Sequence, residues 1–515
     1  MSKNRFTRRH FFYGSLLAGA VPAAGFGSTP SLKALGYKSP NEKLNIASIG
    51  SGGKAASDIH GCATTENIVA LCDVDDKQAS KIFKEFEKPP KYKDFRKMLD
   101  KESANIDAVI VTIPDFMHTV AALACMERGK HVYVQKPLTR TIFEARLMRE
   151  AANKYKVATQ MGNQGYSNEG TRQAAEMVWA GEIGNVTEVH AWTNRPIWPQ
   201  GIKEIPPPDP VPDTLDWDLW LGIAAQRPYV RGGKEYPNNF DGYFYQPFNW
   251  RGFYDFGCGA LGDMACHILG APNLALKLGA PVSVECLHQE GTSDIQFPVA
   301  STIRFDFPAR GDMPAVKLFW YDGLKAQPKI PGVPEDEYLG DLPSPSTPRR
   351  QGPRPQNDAP RRTPHEGNGP VFNWAKIEAL KEHPPTRLRD PDGSLFIGDK
   401  GMLTTGTYGD DTRLLPVEKM RDYEFPQPTL TRSPGHYHDW IRACKGGDPS
   451  CSNFNIAAPF TEWILLGTIA LRCPGKLEWD AGKMKFTNNN DANKYLRPMS
   501  IRKAWEKMLP SKLNT

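Results

Sequence analysis

The chain has 515 residues, too many for one ordinary hydrophobic core and suited to two domains with appendages. Apolar residues make up 40% of it, and no run approaches the ~18 uninterrupted apolar residues of a membrane span, so the mature chain is expected to be soluble. Its net charge of +6 comes from Lys and Arg scattered among Asp and Glu, which excludes the basic stripe a nucleic-acid partner requires.

The N-terminus reads Thr7-Arg8-Arg9-His10-Phe11-Phe12 before a mildly apolar, Gly- and Ala-rich segment from Tyr13 to Gly27. Residues 1–27 therefore look like a twin-arginine signal peptide, with cleavage after Ala20 or Ala24 left open. That reading predicts a periplasmic or otherwise exported protein, with the twin-arginine machinery as a transient partner. A Ser/Pro/Lys linker follows over residues 28–43.

From Leu44 the chain alternates strand and helix signals. Strands are predicted over Leu44 to Ile49, Ile68 to Cys72, Ala108 to Ile113 and His131 to Val134, and a helix over Val120 to Arg128. This alternation predicts a parallel sheet with crossover helices, a Rossmann domain over residues 44–164. Ile49-Gly50-Ser51-Gly52-Gly53-Lys54-Ala55 is a G-x-G-x-x-A turn between strand and helix, where a pyrophosphate meets free N–H groups and the helix dipole. Asp73 ends the next strand and is placed to accept hydrogen bonds from the adenosine ribose. Gly50, Gly52, Gly53 and Asp73 are thus the candidate nucleotide ligands. With no Arg near Asp73 to receive a 2′-phosphate, NAD is favoured over NADP.

Later strand ends face the same crevice and add Pro114, His118, Lys136, Asn163 and Gln164 to the candidate cofactor-binding residues. Pro114 and His118 follow the third strand, and Gln135-Lys136-Pro137 the fourth, where Lys136 would be held by a stiff backbone and orient a substrate hydroxyl. Asn163 and Gln164 follow another short strand and are placed on the nicotinamide side; Tyr166 is either a further proton donor or a packed tyrosine.

The second domain is predicted over residues 165–480. Strands at Val186 to Trp192, Val282 to His288, Thr302 to Phe307, Ala315 to Tyr321 and Ser394 to Ile397 suggest a sheet with a few helices on one side. Residues 326–372, rich in Pro, Arg and Gly, read as a surface insertion or disordered excursion, and residues 481–515 as a C-terminal extension. Among the many tryptophans, Trp192 and Trp250 are candidate sugar-stacking faces. Asp263 and His267 are spaced to share one helix face, either as site residues or as an N-cap and a satisfied core histidine. His436 and His438 lack Cys or carboxylate partners at metal-site spacing, and no metal is predicted. Cys444, Cys451 and Cys473 are close enough in sequence to permit a bridge after export.

Taken in order, the Gly-rich turn, Asp73, Pro114 to His118 and Gln135-Lys136-Pro137 resemble the glucose-fructose oxidoreductase/inositol dehydrogenase/MocA (Gfo/Idh/MocA) family, and particularly its exported bacterial members. Gly259 to His267 is similar to the family's G-x-x-x-D-x-x-x-H segment, Gly398 to Leu403 to its late G-x-x-G strand, and Tyr437 to Gly447 to its late helix. The resemblance spans about residues 44–480. It implies an α/β chain with an N-terminal Rossmann domain and a C-terminal α+β domain built on a large open, mostly antiparallel sheet, assembled as a dimer or tetramer. It places the family's catalytic Lys on Lys136 and its Asp and His on Asp263 and His267. The family usually has Glu where this chain has Gln135, a difference that removes a charge beside Lys136.

The chemistry then expected is oxidation of a sugar, polyol or glycoside hydroxyl, with a tightly bound cofactor that is recycled in place. His267 acts as general acid/base, Lys136 orients the hydroxyl and relays its proton, and Asp263 binds a second hydroxyl. The same residues would serve an NAD-dependent glycoside hydrolase or lyase that oxidises transiently and eliminates. A non-catalytic nucleotide or sugar sensor is the third reading, disfavoured by the retained Lys136, Asp263 and His267.

Overall fold

Residues 42–232, 244–334, 337–343, 372–382 and 392–510 are described by a computed structural model. The proposed signal peptide, nearly all of the linker and most of the Pro-rich stretch lie outside the described residues.

Short aliphatic runs form the strands β1 (Asn45–Ile49), β2 (Asn67–Cys72), β3 (Lys91–Tyr92), β4 (Ala108–Val111), β5 (His131–Val134) and β6 (Thr159–Met161). They pair in the order β3-β2-β1-β4-β5-β6, every neighbour parallel. Both faces are covered, which is why these strands read as continuous apolar runs. Ile46, Leu71, Ile110 and Tyr133 point to one face and meet the helix Lys54–Ala63 together with Trp440 and Ile441 of the late helix His436–Cys444. Ala47, Ile49, Val109, Val111 and Val134 point to the other, into the main core. The strand order reverses beside β1, so a crevice opens beyond the carboxyl ends of β1 and β4.

The second sheet contains β7 (Val186–Trp192), β8 (Ser283–Glu290), β9 (Ala300–Phe307), β10 (Val316–Asp322), β11 (Gly393–Gly398), β12 (Met402–Thr405), β13 (Arg413–Leu415), β14 (Leu477–Asp480) and β15 (Lys485–Phe486). Its order is β13-β12-β11-β7-β10-β9-β8-β14-β15, antiparallel except where β7 runs beside β10. Burial alternates along β9, with Ile303, Phe305 and Phe307 on the covered face. Phe305 and Phe307 stack edge-on against Trp463 of the helix Phe454–Ala470.

Several expectations shift. The strand expected to reach Ile113 ends at Val111, because Thr112 and Ile113 turn out of the sheet to wall the crevice. The helix expected from Val120 starts at His118. The Pro-rich stretch is not wholly a surface excursion: Ile330 and Leu339 are buried against Trp192, Leu395 and Leu415. All nine cysteines are free thiols, so Cys444, Cys451 and Cys473 form no bridge.

Candidate active site

A cavity of about 780 Å³ runs from the carboxyl ends of β1 and β2 to the helix Gly259–Ile268 of the second domain. Gly50, Gly52, Gly53, Asp73 and Pro114 line one end, and Lys136, Gln164, Trp250, Asp263 and His267 lie on the same wall system.

The turn after β1 is shaped by backbone crowding. Gly50 has φ +90°, and a Cβ there would sit 2.0 Å from the Thr112 carbonyl oxygen. A Cβ on Gly52 would meet the Gln78 carbonyl oxygen at 2.6 Å, so this glycine is required by packing on the helix Asp76–Glu85. No side chain caps the N-terminus of the helix Lys54–Ala63, leaving its first turn for an anion. Asp73 braces the turn, its Oδ2 accepting from the Ser51 and Gly52 N–H groups (2.8 and 3.2 Å) and its Oδ1 from Asp75 N–H (3.0 Å). Burial raises the Asp73 carboxyl, and those three backbone donors oppose the rise. This uncapped, side-chain-free cradle fits a dinucleotide pyrophosphate, with Asp73 beside the ribose position.

At the other end, Lys136 Nζ donates to the Asp263 carbonyl oxygen (2.6 Å) and to its Oδ1 (2.9 Å). Arg251 Nε donates to the same Oδ1 at 3.1 Å, while its guanidinium lies 4.3 Å over the Phe248 and Trp250 rings. Burial would raise the Asp263 carboxyl, yet Lys136 and Arg251 together hold it well below the ordinary carboxylate range. One turn on, His267 is 4% exposed and packs edge-on against Tyr408 at 4.7 Å. Burial, helped by the Lys136 ammonium and opposed by Asp263, lowers its basicity and keeps the imidazole neutral. Its Nδ1 is buried without a hydrogen-bond partner, an orphan of the kind a bound polar group would satisfy.

Comparison with known proteins agrees with this geometry. Residues 44–163 match the oxidoreductase family model described as an NAD-binding Rossmann fold, and residues 182–296 match that family's C-terminal alpha/beta domain. Both matched regions are domains of the Gfo/Idh/MocA oxidoreductase family. Residues 44–163 are thus an NAD-binding Rossmann domain of that family, and an inositol 2-dehydrogenase and a glucose-6-phosphate 3-dehydrogenase are among the relatives. A glycosyl hydrolase family 109 protein of Solibacter usitatus is 30% identical over 193 residues, 34% of this chain and 43% of that protein. An inositol 2-dehydrogenase of Serratia proteamaculans is 29% identical over 157 residues, 30% of this chain and 46% of the relative. The matched region thus spans less than half the length of these two relatives. In fold, the chain is similar to the WlbA dehydrogenase of Bordetella pertussis, solved with NADH and UDP-GlcNAcA (TM-score 0.51, 13% identity, 85% of this chain and 99% of that one).

Against the Gfo/Idh/MocA pattern, four expected site residues fall elsewhere. His118 is fully buried, its ring nitrogens 2.9 and 2.7 Å from the Pro137 and Ile113 carbonyl oxygens, and burial pushes it down to about 4. It ties two strand ends together from behind the wall. Asn163 is also fully buried and off the cavity. Tyr166 is packed, its hydroxyl oxygen accepting from Asn273 Nδ2 at 2.5 Å. Trp192 sits in the core beneath β11. Gln164, by contrast, reaches the cavity and, with its amide oriented to satisfy both ends, accepts from Lys54 Nζ at 3.3 Å.

Gln135 has a local explanation. Its Nε2 donates to Asp58 Oδ2 at 2.9 Å, and Asp58 is a fully buried carboxylate also receiving Lys54 Nζ, Thr112 Oγ1 and Tyr437 OH. A Glu at 135 would face that carboxylate, so the amide is what this neighbour requires. The cavity also recruits Lys54, Asp115, Arg195, Arg251, Tyr408, His436 and Trp505, none of them anticipated as ligands. His436 is held by Tyr133 OH (3.0 Å) and Ser167 Oγ (2.9 Å); among the described residues no His, Cys, Asp and Glu group is arranged to hold a metal.

Proposed function

We propose that this enzyme oxidises a hydroxyl group of a sugar, polyol or glycoside with NAD as its nucleotide. The observation that carries the reading is the neutral, buried His267 with an unpartnered Nδ1, sharing one cavity with the Lys136–Asp263 pair and the Gly50 turn. Bound NAD supplies a hydride acceptor. His267 takes the hydroxyl proton, a role that needs an unprotonated imidazole at working pH. Lys136, fixed by two bonds to Asp263, orients that hydroxyl. Asp263 places both side-chain donors on Oδ1, leaving Oδ2 to receive a second hydroxyl of the substrate. NAD is favoured over NADP because Asp73 borders the ribose position and Lys93, which lines this end, is engaged by Asp76 (3.1 Å) and the Thr214 carbonyl (3.2 Å). A polyhydroxylated substrate is supported by the family relatives and by the polar residues Gln246, Asp263 and Arg195 lining the cavity.

A second reading is favoured by the 30% identity to a glycosyl hydrolase family 109 protein: transient oxidation followed by elimination of a glycosidic group and return of the hydride. Screening glycosides, free sugars and polyols for a nicotinamide absorbance change, followed by mass analysis of products, separates the two. Net oxidation supports the first, and cleavage without net oxidation the second. Absence of both with every class would overturn the enzyme's assignment to carbohydrate hydroxyls. The reading includes twin-arginine export and a homodimer or homotetramer, tested by fractionation of cells expressing Arg8→Lys/Arg9→Lys protein and by sedimentation. Export unaffected by that change, or a monomer at working concentration, would remove each element.

A further inference from the structure

The nucleotide end of the cavity has a wall that the Rossmann motif does not supply. Beyond Asp73 the lining continues through Val74 and Phe95 to Trp505, a residue of the C-terminal extension. Trp505 is 2% exposed, its ring centroid 6.1 Å from that of Phe95, and the Arg96 guanidinium lies 4.2 Å from the Trp505 ring centroid. If Asp73 receives the adenosine ribose, as the proposed function has it, the adenine lies on the side of Phe95 and Trp505.

The hydrogen bonds that fasten the segment carrying Trp505 gather at Arg502. Arg502 donates from Nε to the Gly222 carbonyl (2.8 Å), from Nη2 to the Asp218 carbonyl (2.5 Å) and from Nη1 to the Asp218 carboxylate and Gln226 Oε1. Its own N–H donates to the Ile223 carbonyl at 3.2 Å. These acceptors lie on and just after the short helix Trp217–Leu221, and the stretch leading into that helix is tied to the mouth of β2: Asp76 N–H donates to Thr214 (3.0 Å) and Asp216 N–H to Val74 (2.9 Å). Of residues 503–510, Trp505 and Leu509 are buried while Lys503, Ala504, Glu506 and Lys507 are exposed. Lifting the segment therefore breaks the Arg502 anchor and withdraws Trp505 and Leu509 from the edge of the main core, where Phe95 and Arg96 contact the Trp505 ring.

We propose that residues 502–509 clasp the adenine side of the nucleotide, with Trp505 as the wall of the adenine subsite, and that the clasp must lift before the nucleotide leaves. The inference rests on the NAD reading above. Its consequence is a nucleotide retained between turnovers, so that the hydride removed from one substrate is returned in place to a second substrate or to the enzyme's own intermediate.

The test uses the full chain loaded with NADH. Dissociation is followed by the fall in NADH fluorescence on mixing with excess NAD, and hydrogen exchange of residues 503–509 is measured with and without NADH. Trp505→Ala and Arg502→Ala are expected to speed dissociation by roughly tenfold or more, Trp505→Phe much less, since a phenyl ring keeps part of the aromatic wall. In the unsubstituted protein, exchange of residues 503–509 should slow when NADH binds. That measurement decides the matter even if Trp505→Ala fails to fold. Exchange indifferent to NADH, or dissociation within about twofold of the parent in both Ala variants, overturns the clasp. Acceleration in Trp505→Ala with Arg502→Ala unchanged assigns Trp505 to static wall packing and also overturns it. A parent protein that binds neither NADH nor NADPH overturns the underlying reading instead.

Discussion

The two ends of the cavity are built by different means. The nucleotide end is made of backbone: a turn whose conformation is dictated by the Thr112 carbonyl against Gly50, an uncapped helix start, and Asp73 receiving main-chain donors. The substrate end is made of charges brought from separate segments, with Lys136 after β5, Arg251 in the 3₁₀ turn Asn249–Gly252 and Asp263 with His267 on one helix. A backbone site depends on a few small residues and tolerates change around them. A charge cluster in a buried cavity is balanced only as a set, because removing one member leaves its partner desolvated and unpaired.

The largest expected effect tests the substrate end. His267→Ala and Lys136→Ala should each lower kcat by ~10²–10⁴-fold, the usual contribution of a general acid or base, while NADH still binds. Steady-state rates and fluorescence titration check both halves. Loss of NADH binding in either variant would show that the two ends are not separable.

Next comes the seam between them. Gln135→Glu would set a second carboxylate against buried Asp58 and remove the Nε2 donor, and should cost about 1–3 kcal/mol of unfolding free energy by denaturant titration at pH 8. A variant as stable as the parent would show that Asp58 does not require the amide.

At the nucleotide end the expected change is smaller. Asp73→Ala should weaken NAD binding by about tenfold, roughly 1.4 kcal/mol, and narrow its preference over NADP. Equal affinity of the unsubstituted protein for the two nucleotides would remove Asp73 as the selecting residue.

The smallest effect is a pH dependence at the substrate end. Burial, partly countered by Arg251, pushes the Asp115 carboxyl from 3.8 up to about 7. Between those values the unfolded chain has released this proton and the folded chain retains it, so the contribution to stability is present below about pH 4 and declines as pH rises toward 7. Asp115→Asn abolishes that slope, so its stability relative to the parent should improve from pH 4.5 to pH 8 by on the order of 1 kcal/mol or more. A constant difference across that range would place the Asp115 carboxyl at its ordinary acidity.

Legibility in the sequence follows the same division. Gly50, Gly52 and Asp73 were readable because a strand, a tight turn and a helix are local events. Asp263 and His267 were readable as a pair because the helix repeat fixes their common face. His118 and the proton-donor alternative for Tyr166 failed for a physical reason: each stands where a strand end approaches the crevice, and the direction of its side chain is settled with partners outside its own segment, the Pro137 carbonyl and Asn273. Arg251 carried no signal of its own, since nothing within its segment announces that Asp263 will need a second cation.

By itself, then, the sequence determined an alternating Rossmann domain and the Gly-rich turn after its first strand, while the mostly antiparallel second sheet and the grouping of Lys136, Asp263 and His267 were implied by the family resemblance. Only the tertiary structure decided which neighbours complete them: Asp58 opposite Gln135, Arg251 on Asp263, Tyr408 against His267 and Trp505 closing the adenine side. Hydrogen-bonding periodicity and backbone sterics act over a few residues and leave their mark in the local pattern. Charge balance and apolar closure act through space, and their partners come from wherever the chain happens to return.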